Sequence, residues 1–543
     1  MFNKSLGLFF PEPYLPSKQQ GVILKKIGHE LTKHKFVICC APTGSGKSLL
    51  AKTIAAASQL PTKAFAESIN SYAAFRQDFE GNYINGEQCL AEPPFGAFVL
   101  TITKSLQDQY NTLFSDTHLL KGKQNYICDV DENFMVDLAP CTFVPQLRDK
   151  CWNENRCSYF NARNTALTSR LSVLNYKMFL ALPPHVKRKN VIICDEASEL
   201  EEELVKQFSA EVEYKKLEEY NVDISKLITD NKEKACIWLY NLIQTILIHV
   251  EELGKLLQQQ PGLVSKKDRI KYAYFKNLHA SLSSVIELWT KCEYIIDYDS
   301  QRVCFTPLHA NVLTSHIFGY AEKVVLLSAT IIDHNHFAKS LGITEYAYVE
   351  AESEFDSKKS PIYISSTHKL NYKNLKNTLP KVCKQIEEIV EHHNNEKGVI
   401  HTHTQEIANF IHDKLGTNER FLFRNAFSTN EDILKKHKEA KQATILVSPS
   451  LAYGVDLKDE LARFQIIVKL PFLPLYSKRI KKLSQLDKNW YENKMLNSVV
   501  QAAGRATRSK NDHSITYILD GTFVDIIKRT KNKLPKHFID RIH

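Results

Sequence analysis

No stretch of this 543-residue chain approaches the ~20 consecutive apolar residues that a membrane-spanning helix needs. The apolar part of the opening MFNKSLGLFF is cut by Pro11 before it reaches signal-peptide length. Those two lacks predict a soluble protein with no membrane partner, held inside the cell, in the cytoplasm or with the nucleoid. Internal repeats and low-complexity segments are lacking as well, which excludes a repeat architecture. Without an export signal the 12 cysteines are expected to stay mostly reduced, so a local cluster of them points to metal before disulfide.

What is present starts with size and charge. At 543 residues the chain has room for about three or four domains, with apolar content for several cores. A formal charge of +10 suits a polyanionic partner, although the excess is mild at this length.

The strongest signal is Ala41-Pro42-Thr43-Gly44-Ser45-Gly46-Lys47-Ser48. The apolar run Phe36 to Cys40 before it reads as a buried parallel strand, and Leu49 to Lys52 after it opens a helix. That is the context a nucleoside-triphosphate loop requires, and a chance glycine-rich turn would not supply strand, lysine, hydroxyl and helix together. Gly44 and Gly46 let backbone N–H groups face the phosphates, Lys47 neutralises the outer ones, and the Ser48 hydroxyl suits Mg²⁺.

Two further constellations carry chemistry. Asp195 and Glu196 follow the apolar run Val191 to Cys194, at the C-terminal end of a strand, where open α/β sheets bind ligands. Asp195 suits Mg²⁺ and Glu196 suits activation of a water, although an acidic pair after a strand is often only a helix cap. Gln501-Ala502-Ala503-Gly504-Arg505-Ala506-Thr507-Arg508 places two arginines three apart, expected on one helical face. Planar, permanently charged guanidinium groups suit a γ-phosphate, and a solvated basic helix face is the plainer alternative.

Short β-branched runs at 36–40, 98–102, 191–194 and 324–328, and again at 398–402, 445–447, 466–470 and 515–519, predict two parallel α/β domains. Two excursions interrupt the first. The stretch at about 112–165 holds Cys128, Cys141, Cys151 and Cys157, where chance predicts roughly two thirds of a cysteine in a window of about 30 residues. Their spacing matches no zinc ribbon, and four thiolates suit zinc or iron–sulfur equally. The stretch at about 200–315 has helical spacing. Residues 59–95 carry no functional reading. Tyr159, Phe160, Arg163, Arg170 and Tyr176 interleave aromatic and basic side chains as a candidate single-strand path, with Lys266 to Tyr272 a weaker one.

In this order the motifs resemble the superfamily 2 helicases, and within them the iron–sulfur XPD/DinG-like family. Thr101 to Gln109 is similar to that family's nucleic-acid-contacting segment, and Ser328-Ala329-Thr330 to its coupling motif. Ser448 to Leu457, with Gly454 and Asp456, is similar to its fifth motif, and Lys469 to Phe472 to the segment after it. Lys121 to Cys128 and Leu174 to Tyr176 resemble the two flanks of its cluster domain. The resemblance implies two RecA-like motor domains, with an iron–sulfur insert and a helical, arch-like insert in the first. Expected boundaries are 1–111, 166–199 and 316–350 for the first motor domain, 112–165 for the cluster insert, 200–315 for the arch, and 351–543 for the second motor domain. It implies a 4Fe-4S cluster on the four cysteines, ATP and Mg²⁺ as cofactors, and an adenine contact at Gln19 or Gln20. One departure stands out: Ser198 occupies the place of a family histidine that links hydrolysis to the motifs across the cleft.

The expectation is therefore an ATP-dependent DNA helicase, translocating 5′ to 3′ on single-stranded or forked DNA in repair or replication. Lys47, Asp195 and Glu196 act from one side of the ATP cleft, and Gln501, Arg505 and Arg508 from the other. The rivals are a translocase that displaces proteins without separating strands, and an ATP-gated binding switch with structural zinc. No nuclease or other catalytic module is visible, and no protein partner is indicated.

Overall fold

Runs that are apolar at every position make strands covered on both faces, and the chain builds two parallel sheets from such runs. The computed structural model describes residues 6–42, 44–58, 96–154, 156–227, 229–259, 265–353, 356–365, 367–371, 373–424, 428–449, 457, 459–505 and 512–543. Thr43, Gly454, Asp456, Arg508 and the stretch 59–95 lie outside them.

In chain order the first part comprises α1 (Lys18–Lys33), β1 (Phe36–Cys40), α2 (Lys47–Ala57), β2 (Ala97–Thr101), α3 (Lys104–Leu113), β3 (His118–Leu120), β4 (Leu171–Asn175) and β5 (Lys189–Cys194). There follow α4 (Leu200–Gln207), β6 (Ala210–Glu213), α5 (Lys232–Gln259), α6 (Lys266–Leu288), β7 (Tyr294–Tyr298), β8 (Arg302–Pro307), β9 (Ala321–Ser328) and β10 (Ala347–Glu350). Seven of these strands form one sheet in the order β10-β1-β9-β5-β2-β4-β3, with every neighbouring pair parallel. Successive side chains point to opposite faces: Ile38, Cys40, Phe98, Leu100, Ile192 and Cys194 enter one core, and Val37, Cys39, Val99, Val191 and Ile193 the other. Cys39, Cys40 and Cys194 thus serve as small apolar residues, with burial pushing each thiol up.

The second sheet contains β11 (Ile362–Ile364), β12 (Gly398–His401), β13 (Phe421–Phe423), β14 (Ile445–Ser448), β15 (Phe464–Ile467) and β16 (Ile515–Ile518). Its order is β11-β16-β15-β12-β14-β13, again parallel throughout. Two helices, α7 (Lys478–Leu486) and α8 (Lys488–Ala503), precede β16 and face the first part of the chain. Both open on side-chain caps, Ser477 accepting from the Ile480 N–H and Asp487 from the Trp490 N–H.

The inserts differ in kind. The cysteine-bearing one lies between β3 and β4, so His118–Leu120, inside the stretch read as insert, is a strand of the first sheet. The one between α4 and β9 is not purely helical, because β6, β8 and β7 form a three-stranded antiparallel sheet beside α5 and α6. The alternating burial of β8 is the strand signal that the helical spacing of the stretch as a whole masked. The two inserts meet at Arg269 of α6. Its Nη1 donates to the Leu138 carbonyl at 3.2 Å, and its guanidinium lies 4.7 Å over the Phe134 ring and 5.5 Å from Phe143. This buried role replaces the strand-contact reading of that residue. Among the described residues no helix is long and apolar enough to cross a membrane.

Candidate active site

The strand order puts β9 between β1 and β5, so the ends that carry the phosphate loop, Ser328-Ala329-Thr330 and Asp195-Glu196 lie side by side. The Ala41 N–H donates to the Ser328 carbonyl at 2.8 Å, tying the first of these ends to the second. The loop then turns through Gly44 and Gly46, whose φ angles of 80° and 76° are in the left-handed region that only glycine adopts freely. α2 starts at Lys47. Gln20, and not Gln19, reaches this loop: its Nε2 donates to the Ser45 carbonyl at 2.9 Å while its Oε1 accepts from the Ser17 N–H at 2.9 Å. A Cβ on Gly46 would lie 2.5 Å from that Nε2, so any side chain there would push Gln20 off the loop. Ser45 Oγ is buried without a partner, an unsatisfied polar atom in the cradle that a phosphate oxygen would suit.

Lys47 Nζ lies 3.4 Å from Glu196 Oε1. Glu196 itself sits at φ 51°, ψ 47°, a left-handed conformation that costs a non-glycine residue about 1–2 kcal/mol. Such strain is typical where a side chain must be aimed. Asp195 is 3% exposed and accepts from the Tyr110 hydroxyl at 2.9 Å and from the Glu196 N–H at 3.0 Å. Burial and the neighbouring Glu196 charge push the Asp195 carboxyl up to about 6, against the opposing pull of Lys47 and Tyr110. A buried Asp195 crowded by the partly exposed Glu196, with Lys47 beside them, is short of positive charge. Together with the Ser48 hydroxyl, which lies by Tyr110, it fits a divalent cation beside phosphates. Tyr110 of α3 was missed from sequence; its only signal is an aromatic residue on the helix that follows Thr101-Ile102-Thr103.

Across the cleft, Gln501 Nε2 donates to Ser198 Oγ at 3.2 Å. Serine is therefore long enough to meet the opposite domain directly. Arg505 does not lie on a helical face, because α8 ends at Ala503 with Gly504 as its cap. Its charge, after burial, helps push the His401 imidazole down to about 4.

The four insert cysteines are free thiols: Cys128, Cys151 and Cys157 are buried and Cys141 is partly so. Burial first, and then Cys128, Cys151 and Cys157, push the Cys141 thiol up to about 11, so the four feel one another's charge. Among the described residues no group of His, Cys, Asp or Glu closes in as the ligands of one metal ion do. The donor set is soft and suits iron–sulfur or zinc. Of the expected strand path, Tyr159, Arg163 and Tyr176 are buried in the core, since Tyr176 donates to the Asp195 carbonyl at 3.4 Å. Those residues hold the insert and the acid loop in place and do not offer stacking faces.

Residues 387–541 match the helicase C-terminal domain family. A stretch of 110 residues is 31% identical to the ATP-dependent DNA helicase CHL1 of Debaryomyces hansenii, covering 16% of this chain and 13% of that protein. The same-named protein of Candida albicans is 31% identical over 115 residues, 18% of this chain and 13% of its own length. The first curated relatives are thus matched over a small fraction of their length. A probable ATP-dependent helicase of Methanocaldococcus jannaschii is 22% identical over 96% of this chain and 93% of its own. In fold, the chain is similar to an XPD helicase structure, with a TM-score of 0.58 at 15% identity over 95% of this chain and 98% of that one.

Proposed function

From its place among the XPD/DinG-like superfamily 2 ATP-dependent helicases, we propose that this chain couples ATP hydrolysis to 5′-to-3′ movement on single-stranded DNA and opens duplex ahead of it. The observation that carries this reading is the convergence of Lys47, Glu196 and Asp195 at adjoining strand ends, with Gln501 reaching Ser198 from the other sheet. In the hydrolytic step a water attacks the γ-phosphorus and the bond to the β–γ bridging oxygen breaks, leaving with ADP. Glu196 accepts the water's proton, and Lys47 offsets charge on the phosphoryl oxygens together with the arginines expected for this role, Arg505 and Arg508. Ser48 and Asp195 would hold Mg²⁺, which would supply further charge neutralisation. Cleft closure and reopening would be passed across the Ser198–Gln501 contact.

Cys128, Cys141, Cys151 and Cys157 would hold a 4Fe-4S cluster, which supplies folding energy to an insert too small for a large core. The insert's attachment to α6 through Arg269 supports a stiff wedge, and DNA opening needs one, since each base-pair step resists by about 1–2 kcal/mol. Displacement of 5′-tailed and 3′-tailed duplexes, in wild type and Cys128→Ser, tests the whole reading. Wild type is expected to open only the 5′-tailed substrate, and the variant to lose iron and unwinding while keeping much of its DNA-stimulated ATPase. Opening of the 3′-tailed substrate alone overturns the polarity; hydrolysis with neither duplex opened leaves a translocase; zinc in anaerobically purified protein overturns the cluster.

A further inference from the structure

Helix α8 carries Trp490, Lys494, Asn497 and Gln501 at spacings of four, three and four, which is one helical face. This face runs along the segment that follows the acid pair. Trp490 Nε1 donates to Glu201 at 2.9 and 3.1 Å, and Lys494 Nζ lies 2.8 Å from Glu201 Oε2. Asn497 Nδ2 is 3.5 Å from Glu199 Oε1, and Gln501 Nε2 is 3.2 Å from Ser198 Oγ. The two ends of the seam are built differently. At the Trp490 end the groups are charged and dry: Glu201 is 5% exposed, Trp490 4%, and Arg479 of α7 5%. Arg479 Nε donates to the Pro307 carbonyl at 2.9 Å and its Nη1 to Glu202 at 3.0 Å, while Leu308, Ile480 and Leu483 pack around Trp490. At the Gln501 end the contacts are longer and lack an ion pair: an amide meets the Glu199 carboxylate at 3.5 Å and another meets the Ser198 hydroxyl at 3.2 Å, both part-buried.

We propose that Glu201 is a positioning residue for ATP hydrolysis: it pins α8 at Trp490 and Lys494, so that the helix pivots there and the Gln501–Arg505 end alone moves against the acid pair. The inference rests on the active-site reading above. The lever is long enough to matter, since Trp490 to Gln501 spans about 16 Å and a tilt of about 4° moves Gln501 by about 1 Å. A misplacement of about 1 Å at a reacting centre can cost on the order of a hundredfold in rate. Burial and ion pairing agree with a fixed pin. Although burial opposes it, Lys494 and Arg479 hold the Glu201 carboxyl below its ordinary value, and the carboxylates around Lys494 raise its amine.

The test separates pinning from packing. Glu201→Gln alone leaves Lys494 short of its partner, so the double variant Glu201→Gln with Lys494→Met is the informative one, because Arg479 and Glu202 remain matched. It is expected to melt close to wild type and to bind a non-hydrolysable ATP analogue within about twofold, while kcat falls at least about tenfold at unchanged KM. Wild-type kcat in the folded double variant overturns the inference, as does a parallel loss of analogue affinity. Should the double variant not fold, Trp490→Phe keeps an aromatic ring but loses the N–H and the second ring of the indole; it is expected to lower kcat several-fold without changing analogue affinity, and wild-type kcat there overturns the inference equally. Lys47→Ala run alongside tests the underlying reading separately: normal hydrolysis in that variant overturns the active site whatever Glu201 does.

Discussion

The two parallel sheets are built alike and contribute differently. The seven-stranded sheet carries the candidate reacting groups at its strand ends. Lys47, Glu196, Asp195 and Tyr110 are joined by contacts of 3.4, 3.0 and 2.9 Å inside one wall. The six-stranded sheet delivers Gln501 through a 16-residue helix, and Arg505 two residues past its end. One side is preorganised, which is where transition-state charge is best met; the other is carried on an arm, which is what a gate requires. Under the proposed function, that difference assigns phosphate binding and water activation to the first sheet, and to the second the contact that closes the cleft and the arginines it brings.

Breaking the preorganised side should have the largest effect. Lys47→Ala removes the lysine beside Glu196 and is expected to abolish ATP turnover, a loss of several kcal/mol in transition-state stabilisation. Single-strand binding should stay within a few-fold. Glu196→Gln keeps the shape without the base, so it should retain ATP and fail to cleave it. Steady-state hydrolysis beside analogue binding checks both. Equal loss of ATP binding in the two variants would mean that Lys47 and Glu196 do not divide the work.

Breaking the arm's contact should cost less. The Gln501–Ser198 hydrogen bond is neutral and part-buried, so Gln501→Ala or Ser198→Ala should lower kcat by about two- to tenfold, the range for a bond worth about 0.5–1.5 kcal/mol. Because the two side chains serve one contact, the double variant should be no worse than either single one. Additive losses would show that the pair acts through other neighbours.

Much of this architecture was legible in the chain itself. The short β-branched runs became the central strands, because two-sided burial demands continuous apolar sequence. The phosphate loop and the acid pair were legible because their chemistry is local. What escaped was set by distance or by competition. Tyr110 acts on Asp195 across 85 positions, and Gln501 on Ser198 across 303, so no window of sequence holds both partners. Adjacent Gln19 and Gln20 were indistinguishable until the Ser17 cap turned Gln20 toward the loop. The helical reading of Arg505 failed because Gly504 ends α8 one residue earlier. The antiparallel sheet of the second insert was hidden by a composition that favours helix, and tertiary pairing overrode it.

The smallest expected difference between the two halves is in their pH response. In the first sheet, burial lowers the Lys189 amine from its usual 10.5 to about 7, with Nζ enclosed by the Phe98 ring and Ser172. Between those values the unfolded chain binds a proton that the folded chain does not, so this half gains stability as pH rises from about 7 to about 10. In the second sheet, burial and then Arg505 lower His401 from 6.5 to about 4. Its contribution is complete above 6.5 and is lost as pH falls toward 4, so this half weakens in mild acid. His537, also lowered to about 4 by burial, adds to the same trend. Thermal melts from pH 4 to 10 should show both slopes in wild type. Lys189→Met should flatten the alkaline one alone, and His401→Gln should reduce the acid one without abolishing it. If both slopes survive both substitutions, neither buried group is the source of the difference.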